Sequence, residues 1–285
     1  MIYLHYASSG TKCICFHGEE MPEGSPLRLV ATFNDDEVAK AWAYLHRLSS
    51  PLSNEPIGGR AGHSGVIRAR RRQEPAMLLS AEVRWFWEGR IPELTGWFGS
   101  GPFAPGGGEV RVDAYGVDPA QVELGVKSRG NKPGLELKVL VSERQSRGIG
   151  QLQSTTQVWT KVSSTVLGLN GLPAMATHKR RWLRKFDTGG PTVREIELGE
   201  DERPKAGGLP DDGCNVELTE VWLEDPARVW TTLGFEAFGS FDRLERSLAA
   251  TLTQMSAVAL PTIGAGEALS YPAWLAARAG SRTGA

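Results

Sequence analysis

From Met77 onward the chain alternates apolar and charged residues with period two, and this constrains the fold more than any other feature. Val83, Trp85 and Trp87 alternate with Glu82, Arg84, Phe86 and Glu88. Val110, Val112 and Ala114 alternate with Arg111, Asp113 and Tyr115, and Val122, Leu124 and Val126 with Glu123, Gly125, Lys127 and Arg129. Leu135, Leu137, Val139 and Val141 alternate with Glu136, Lys138 and Leu140, and Val216 and Leu218 with Asn215, Glu217 and Thr219. Successive side chains of a strand point to opposite faces, so one apolar face in period two predicts half-buried antiparallel strands. Gly- and Pro-rich stretches such as Gly99–Gly108 and Gly130–Gly134 separate several of them. Gln157–Val162 and Thr177–Asp187 predict two more. In the second, Lys179, Arg181 and Lys185 share one face and Arg180, Trp182, Arg184 and Phe186 the other, which leaves its phase open.

The polar faces carry charges of both signs rather than Ser, Thr and Asn. Two arrangements give such a pattern. A closed antiparallel sheet turns the charged faces inward. Lys and Arg would then hold phosphate oxygens by charge-assisted hydrogen bonds, and carboxylates would hold a hard cation such as Mg2+. An open sheet with one solvated face, stabilised by cross-strand Lys/Glu pairs, shows the same alternation.

Helices are expected mainly near the end. Asp225-Pro226 predicts the cap and first-turn proline of a short helix through Thr232. Ser240 predicts the cap of a longer one, with Phe241, Leu244, Leu248, Leu252 and Met255 as its apolar stripe. Pro272–Ala277 predicts a further short turn, and Gly189–Gly213 a long loop. The expected class is α+β: an antiparallel β-barrel or tunnel, or a strongly curved sheet, with packed helices. That β-rich domain covers residues 77–285. Residues 1–48 form a small N-terminal segment, with a strand at Ile2–Tyr6 and a helix capped by Asn34. Its apolar positions are Val38, Ala41, Trp42, Leu45 and Leu48. Residues 49–76, with Pro51, Pro56 and the run Arg68-Ala69-Arg70-Arg71-Arg72, predict a linker or disordered arm. No aromatic residue accompanies the arginines, so a solvated linker is favoured over an arm on nucleic acid.

The formal net charge of −1 supplies no global field to attract nucleic acid or an acidic membrane, so an anion site must be local. No apolar run approaches the ~20 residues of a membrane span. The first residues lack the features of a secretory signal. Three cysteines, Cys13, Cys15 and Cys214, fit a reducing compartment, and the expected location is the cytoplasm. Cys13, Cys15 and His17 would share one strand face, but no second Cys pair completes a zinc set of the usual spacing. Phosphate-binding glycine loops and a nucleophile elbow are absent from the sequence. Only His178 lies in the strand region, which argues against a His-rich metal site or a Ser-His-Asp triad there.

The order of segments from about Leu79 to Met255 resembles the CYTH family of triphosphate tunnel enzymes. Glu82, in Ala81-Glu82-Val83-Arg84-Trp85-Phe86, resembles the first acid of that family's opening E-x-E-x-K strand. Asp113-Ala114-Tyr115 resembles the second strand's Asp-Thr-Tyr. Lys127 and Arg129 resemble its paired basic residues, Lys138 the strand ending in Lys, and Lys179 and Arg181 its K-x-R strand. Glu217 resembles the acid of the closing strand, and Gly234-Phe235 the turn after a short helix. Two positions depart from the pattern: Arg84 stands at the second acid and Phe86 at the lysine. The resemblance implies an eight-stranded barrel that binds, and with Mg2+ hydrolyses, a phosphorylated or polyanionic small molecule. It implies Lys127, Arg129, Lys138, Lys179 and Arg181 on the phosphates, and Glu82, Glu136 and Glu217 on the metal. Loss of the second acid points to the alternative, a non-catalytic binding or scaffold protein on the same fold.

Overall fold

In the computed structural model the described residues are 2–7, 13–17, 27–33 and 78–280, apart from 118, 121, 131–133, 165–168 and 170–173. The chain divides into two units, Met1–Arg72 and Gln73–Ala285. In the first, β1 (Ile2–Ala7), β2 (Cys13–His17) and β3 (Leu27–Phe33) form an antiparallel sheet in the order β2-β1-β3. The expected strand at Ile2–Tyr6 is therefore present. The helix expected after Asn34, the 49–76 linker and the side chains of Cys13, Cys15 and His17 lie outside what is described.

The second unit is built on a closed antiparallel barrel. Its strands are β4 (Leu78–Glu88), β5 (Gly106–Gly116), β6 (Leu124–Arg129), β7 (Leu135–Ile149), β8 (Leu152–Ser164), β9 (Ala174–Asp187), β11 (Gly213–Trp222) and β12 (Trp230–Phe238). Round the barrel they run β4-β8-β7-β6-β5-β9-β11-β12, and β12 returns to β4. A three-residue strand, β10 (Arg194–Ile196), adds to the end of β9 inside the expected long loop. The longest hairpin, β7–β8, turns at Gly150, whose φ of +56° is a left-handed conformation suited to glycine.

Closure sends one side of every strand inward, and the charged side takes the inside. The apolar sides of β4, β11 and β12 face out and are covered by helices. Ala81, Val83, Trp85, Val216, Leu218, Leu233 and Phe235 form one buried cluster with Leu94, Trp97 and Phe98 of α1 (Pro92–Phe98). Leu244, Leu248, Leu252 and Met255 of α2 (Leu244–Met255) complete it. The main hydrophobic core thus lies outside the barrel, between strands and helices. At one end of the barrel, inward-facing Phe86, Tyr115 and Val221 pack with Trp274 and Leu275 of α3 (Tyr271–Gly280). Among the described residues no helix is long and apolar enough to cross a membrane.

The sheet is closed rather than merely curved, and strands dominate, so α+β overstates the helical share. Other expectations also change. The Asp225–Thr232 helix does not form: Asp225 caps a single turn, with Ala227 N–H donating to its side chain at 2.9 Å, and Trp230 then begins β12. The turn does not propagate because Thr231 and Thr232 are β-branched and pair on both sides, with β11 and β4. Gly234-Phe235 is accordingly mid-strand, not a turn. Phe241 belongs to a 3-10 turn (Phe241–Arg243) ahead of α2 and is 55% exposed, so the buried stripe starts at Leu244. Helix α1 was concealed by Gly96 within its seven residues. Pro92 at its start and Glu93 in its first turn are the signals for it.

Candidate functional site

The barrel encloses a cavity of about 1200 Å³. All eight residues expected from the sequence line it: Lys127, Arg129, Lys138, Lys179, Arg181, Glu82, Glu136 and Glu217. So do Arg84, Arg111, Lys161, Lys185 and Glu236, with Tyr115, Trp159 and Tyr271. The phase of β9 is settled: Lys179, Arg181 and Lys185 face the cavity, while Arg184 and Phe186 pack outside with α1, where Arg184 pairs with Glu195 at 2.5 Å.

One wall, formed by β5 to β9, is basic. On it Glu136 pairs with Lys127 at 3.0 Å and with Arg129 at 2.8 Å, accepts a hydrogen bond from Arg129 Nη2 at 3.3 Å, and has Lys161 at 3.8 Å. Burial pushes the Glu136 carboxyl up, but Lys127, Lys161 and Arg129 more than offset this and hold it at about 2. Three cations on one carboxylate leave excess positive charge. The Lys127 ammonium bears it: burial, with Arg129 and Lys161 nearby, lowers its pKa to about 8 despite Glu136. Beside this group Asp113, 0% exposed, pairs with Lys179 at 3.2 Å and Arg111 at 3.4 Å. Lys179 also donates to the Tyr115 hydroxyl at 2.6 Å and lies 4.0 Å from the centre of the Tyr271 ring. Burial and the charges of Lys127 and Arg111 push its pKa well down, against the pull of Asp113. Arg111 and Lys179 face each other directly across β5 and β9, as do Lys138 and Lys161 across β7 and β8. Like charges at opposed positions are unfavourable unless something neutralises them.

The other wall, β4, β11 and β12, carries acids already matched by cations. Glu82 and Glu236 are directly opposed across β4 and β12. Lys138 bonds to Glu82 and lies 3.9 Å from Glu236. Burial raises Glu236, and Lys138 more than compensates, so this carboxyl lies below its ordinary value. Glu217 accepts from Arg181 at 2.8 Å and from Arg84 at 3.0 Å. Burial pushes Glu217 up too, but Arg181 and Arg84 hold it well below the usual carboxylate range.

Mg2+ requires carboxylates converging in near-octahedral geometry. Glu82, Glu136 and Glu217 do not meet this condition, because each is held by its own cations, and a guanidinium stands beside Glu217. Among the described residues no three His, Cys, Asp or Glu side chains group to hold a metal ion. The donor set does not fit a shared Mg2+.

Several cavity residues escaped sequence reasoning. Glu236 alternates with Phe235 and Ala237, a signal hidden by reading that stretch as a turn. Lys161 lies within an expected strand, two residues after Trp159, and its charge was the clue. Tyr271 carried no signal, since only the packing of α3 brings it to the cavity. The indole N–H of Trp159, buried on the inward face of β8, has no acceptor among the described residues.

Fold and site together define a closed antiparallel barrel with an ionised interior. Compared with family models, curated proteins and solved structures, the chain has no match.

Proposed function

We propose that the barrel binds a phosphorylated or otherwise polyanionic small molecule along its basic wall, as in a triphosphate tunnel. One observation carries this reading. Among the described residues the ion pairs of Arg111, Lys127, Arg129, Lys161 and Lys179 within 4 Å go to two carboxylates, Asp113 and Glu136, on adjoining strands. Burying unmatched ammonium and guanidinium groups costs several kcal/mol per ion, roughly, unless an anion joins them. A phosphate chain supplies oxygens along its length and can accept from several of these donors at once. The free indole N–H of Trp159 offers one more donor to an oxygen-rich ligand.

Isothermal titration with tripolyphosphate tests the proposal. Binding is expected with one site per chain, and Lys161→Gln should weaken it about tenfold, the value of one charge-assisted hydrogen bond. Absence of heat and of competition at millimolar ligand would sink the reading. A phosphate-release assay on the same samples separates hydrolysis from binding alone.

A further inference from the structure

The acidic wall contains three carboxylates, Glu82, Glu217 and Glu236, on neighbouring strands, all lining the cavity. Hard oxygen donors of this kind suit a divalent cation. The guanidinium of Arg84, 9% exposed, lies among them instead. It donates to Glu217 Oε2 at 3.0 Å and to Thr232 Oγ1 at 3.4 Å, and its Cζ lies 4.8 Å from the centre of the Tyr271 ring. The slot it occupies is built for it. In the sheet, Glu217 pairs with Gly234 and Gly234 with Arg84. The missing side chain at Gly234 leaves the space through which Arg84 reaches Glu217, and a Cβ there would overlap the guanidinium. The neighbouring row holds Glu236 and Glu82, matched by Lys138.

We propose that Arg84 is the resident cation of this carboxylate cluster, so that the tunnel takes its polyanion free of divalent metal. The inference rests on the polyanion reading above and specifies the form of the ligand. An arginine is charged at any physiological pH, so the neutralisation of Glu217 is built in rather than dependent on ion concentration. A divalent cation would have to displace Arg84 from Glu217 and Lys138 from Glu82 while both positive groups remained close by. The basic wall then meets the full charge of an oligophosphate, and Mg2+ in solution competes with the protein for that ligand.

Two measurements on the full chain test this. Mn2+ is titrated and followed by electron paramagnetic resonance, with and without tripolyphosphate. Tripolyphosphate is titrated by calorimetry in chelator and in excess Mg2+. The expected results are no protein-bound Mn2+ at millimolar concentration, and tripolyphosphate affinity in chelator equal to or above that in Mg2+. Binding of tripolyphosphate only with Mg2+ overturns the inference, as does bound Mn2+ that Glu217→Gln abolishes. If tripolyphosphate binds in neither condition, the polyanion reading fails, while the Mn2+ titration still decides the role of Arg84. Arg84→Glu, which replaces the cation by a fourth carboxylate, is expected to gain one Mn2+ per chain. A variant with wild-type circular dichroism that gains none counts against Arg84 as the stand-in for an ion.

Discussion

Arg84 reaches Glu217 across a strand that lies between them, Nη2 to Oε2 at 3.0 Å, over the bare backbone of Gly234. Position 234 therefore sets the electrostatics of the acidic wall although it carries no charge. Gly234→Ala should push the guanidinium out of its slot and leave Glu217 with Arg181 alone. The expected loss is about 2 kcal/mol, less than for a fully orphaned buried charge because one partner stays. Urea denaturation measures it. A stability equal to wild type would mean that Arg84 finds an equivalent position.

Lys138 is the cation shared by the opposed pair Glu82 and Glu236. At 27% side-chain exposure it is only partly screened by water. Lys138→Met keeps its stem and removes its charge, and should cost about 2 kcal/mol at neutral pH. The sign with pH follows from Glu236, whose folded value is depressed with Lys138 as the lowering partner. A depressed carboxyl stabilises above its unfolded value, near ~4.3, and loses that contribution as pH falls through the folded value. The gap between variant and wild type should therefore narrow in acid, as denaturation curves at successive pH values would reveal. A gap constant with pH would mean lost packing rather than lost charge.

Lys127 titrates near neutrality, with a folded value of about 8. Below that value the ammonium is charged and can hold an anion; above it the amine is neutral. Affinity for tripolyphosphate should fall as pH rises through about 8. Lys127→Arg, charged throughout, should flatten that profile. For stability the slope has the same sign as for the depressed acids, because here too the folded value lies below the unfolded one. The unfolded lysine keeps its proton up to ~10.4, so this group's contribution rises between the two values. Calorimetric titrations across that range check the binding limb, and a wild-type profile as flat as that of the arginine variant would refute the role given to Lys127.

Asp113 is wholly buried and neutralises Lys179 and Arg111. Asp113→Asn should destabilise by about 3 kcal/mol, because it strands buried cations. Burial raises this carboxyl, but Lys179 and Arg111 lower it further, so its stabilisation is present above ~3.9 and is lost as pH falls. Thermal melts should show the largest difference near neutral pH. If tripolyphosphate raises the melting temperature of Asp113→Asn more than that of wild type, the added anion is replacing the lost carboxylate.

The sequence by itself determined most of the strands and the character of their two faces. Period two in Val83/Trp85 against Glu82/Arg84, and in Leu135/Leu137 against Glu136/Lys138, follows from local backbone geometry and needs no tertiary information. It also named eight residues that line one cavity. It failed where a local signal was outweighed by distant pairing. Asp225-Pro226 begins a helix by every local rule, yet β12 forms there because it completes the barrel between β11 and β4. Only the tertiary structure decided that the charged faces turn inward, since alternation is identical for an open sheet and a closed one; the pairing of β9 with β5 and of β12 with β4 makes the difference. It alone decided which charges meet as well. Arg84 and Glu217 are separated by 133 positions in the chain, and their contact depends on an intervening glycine whose purpose appears only when three strands lie side by side.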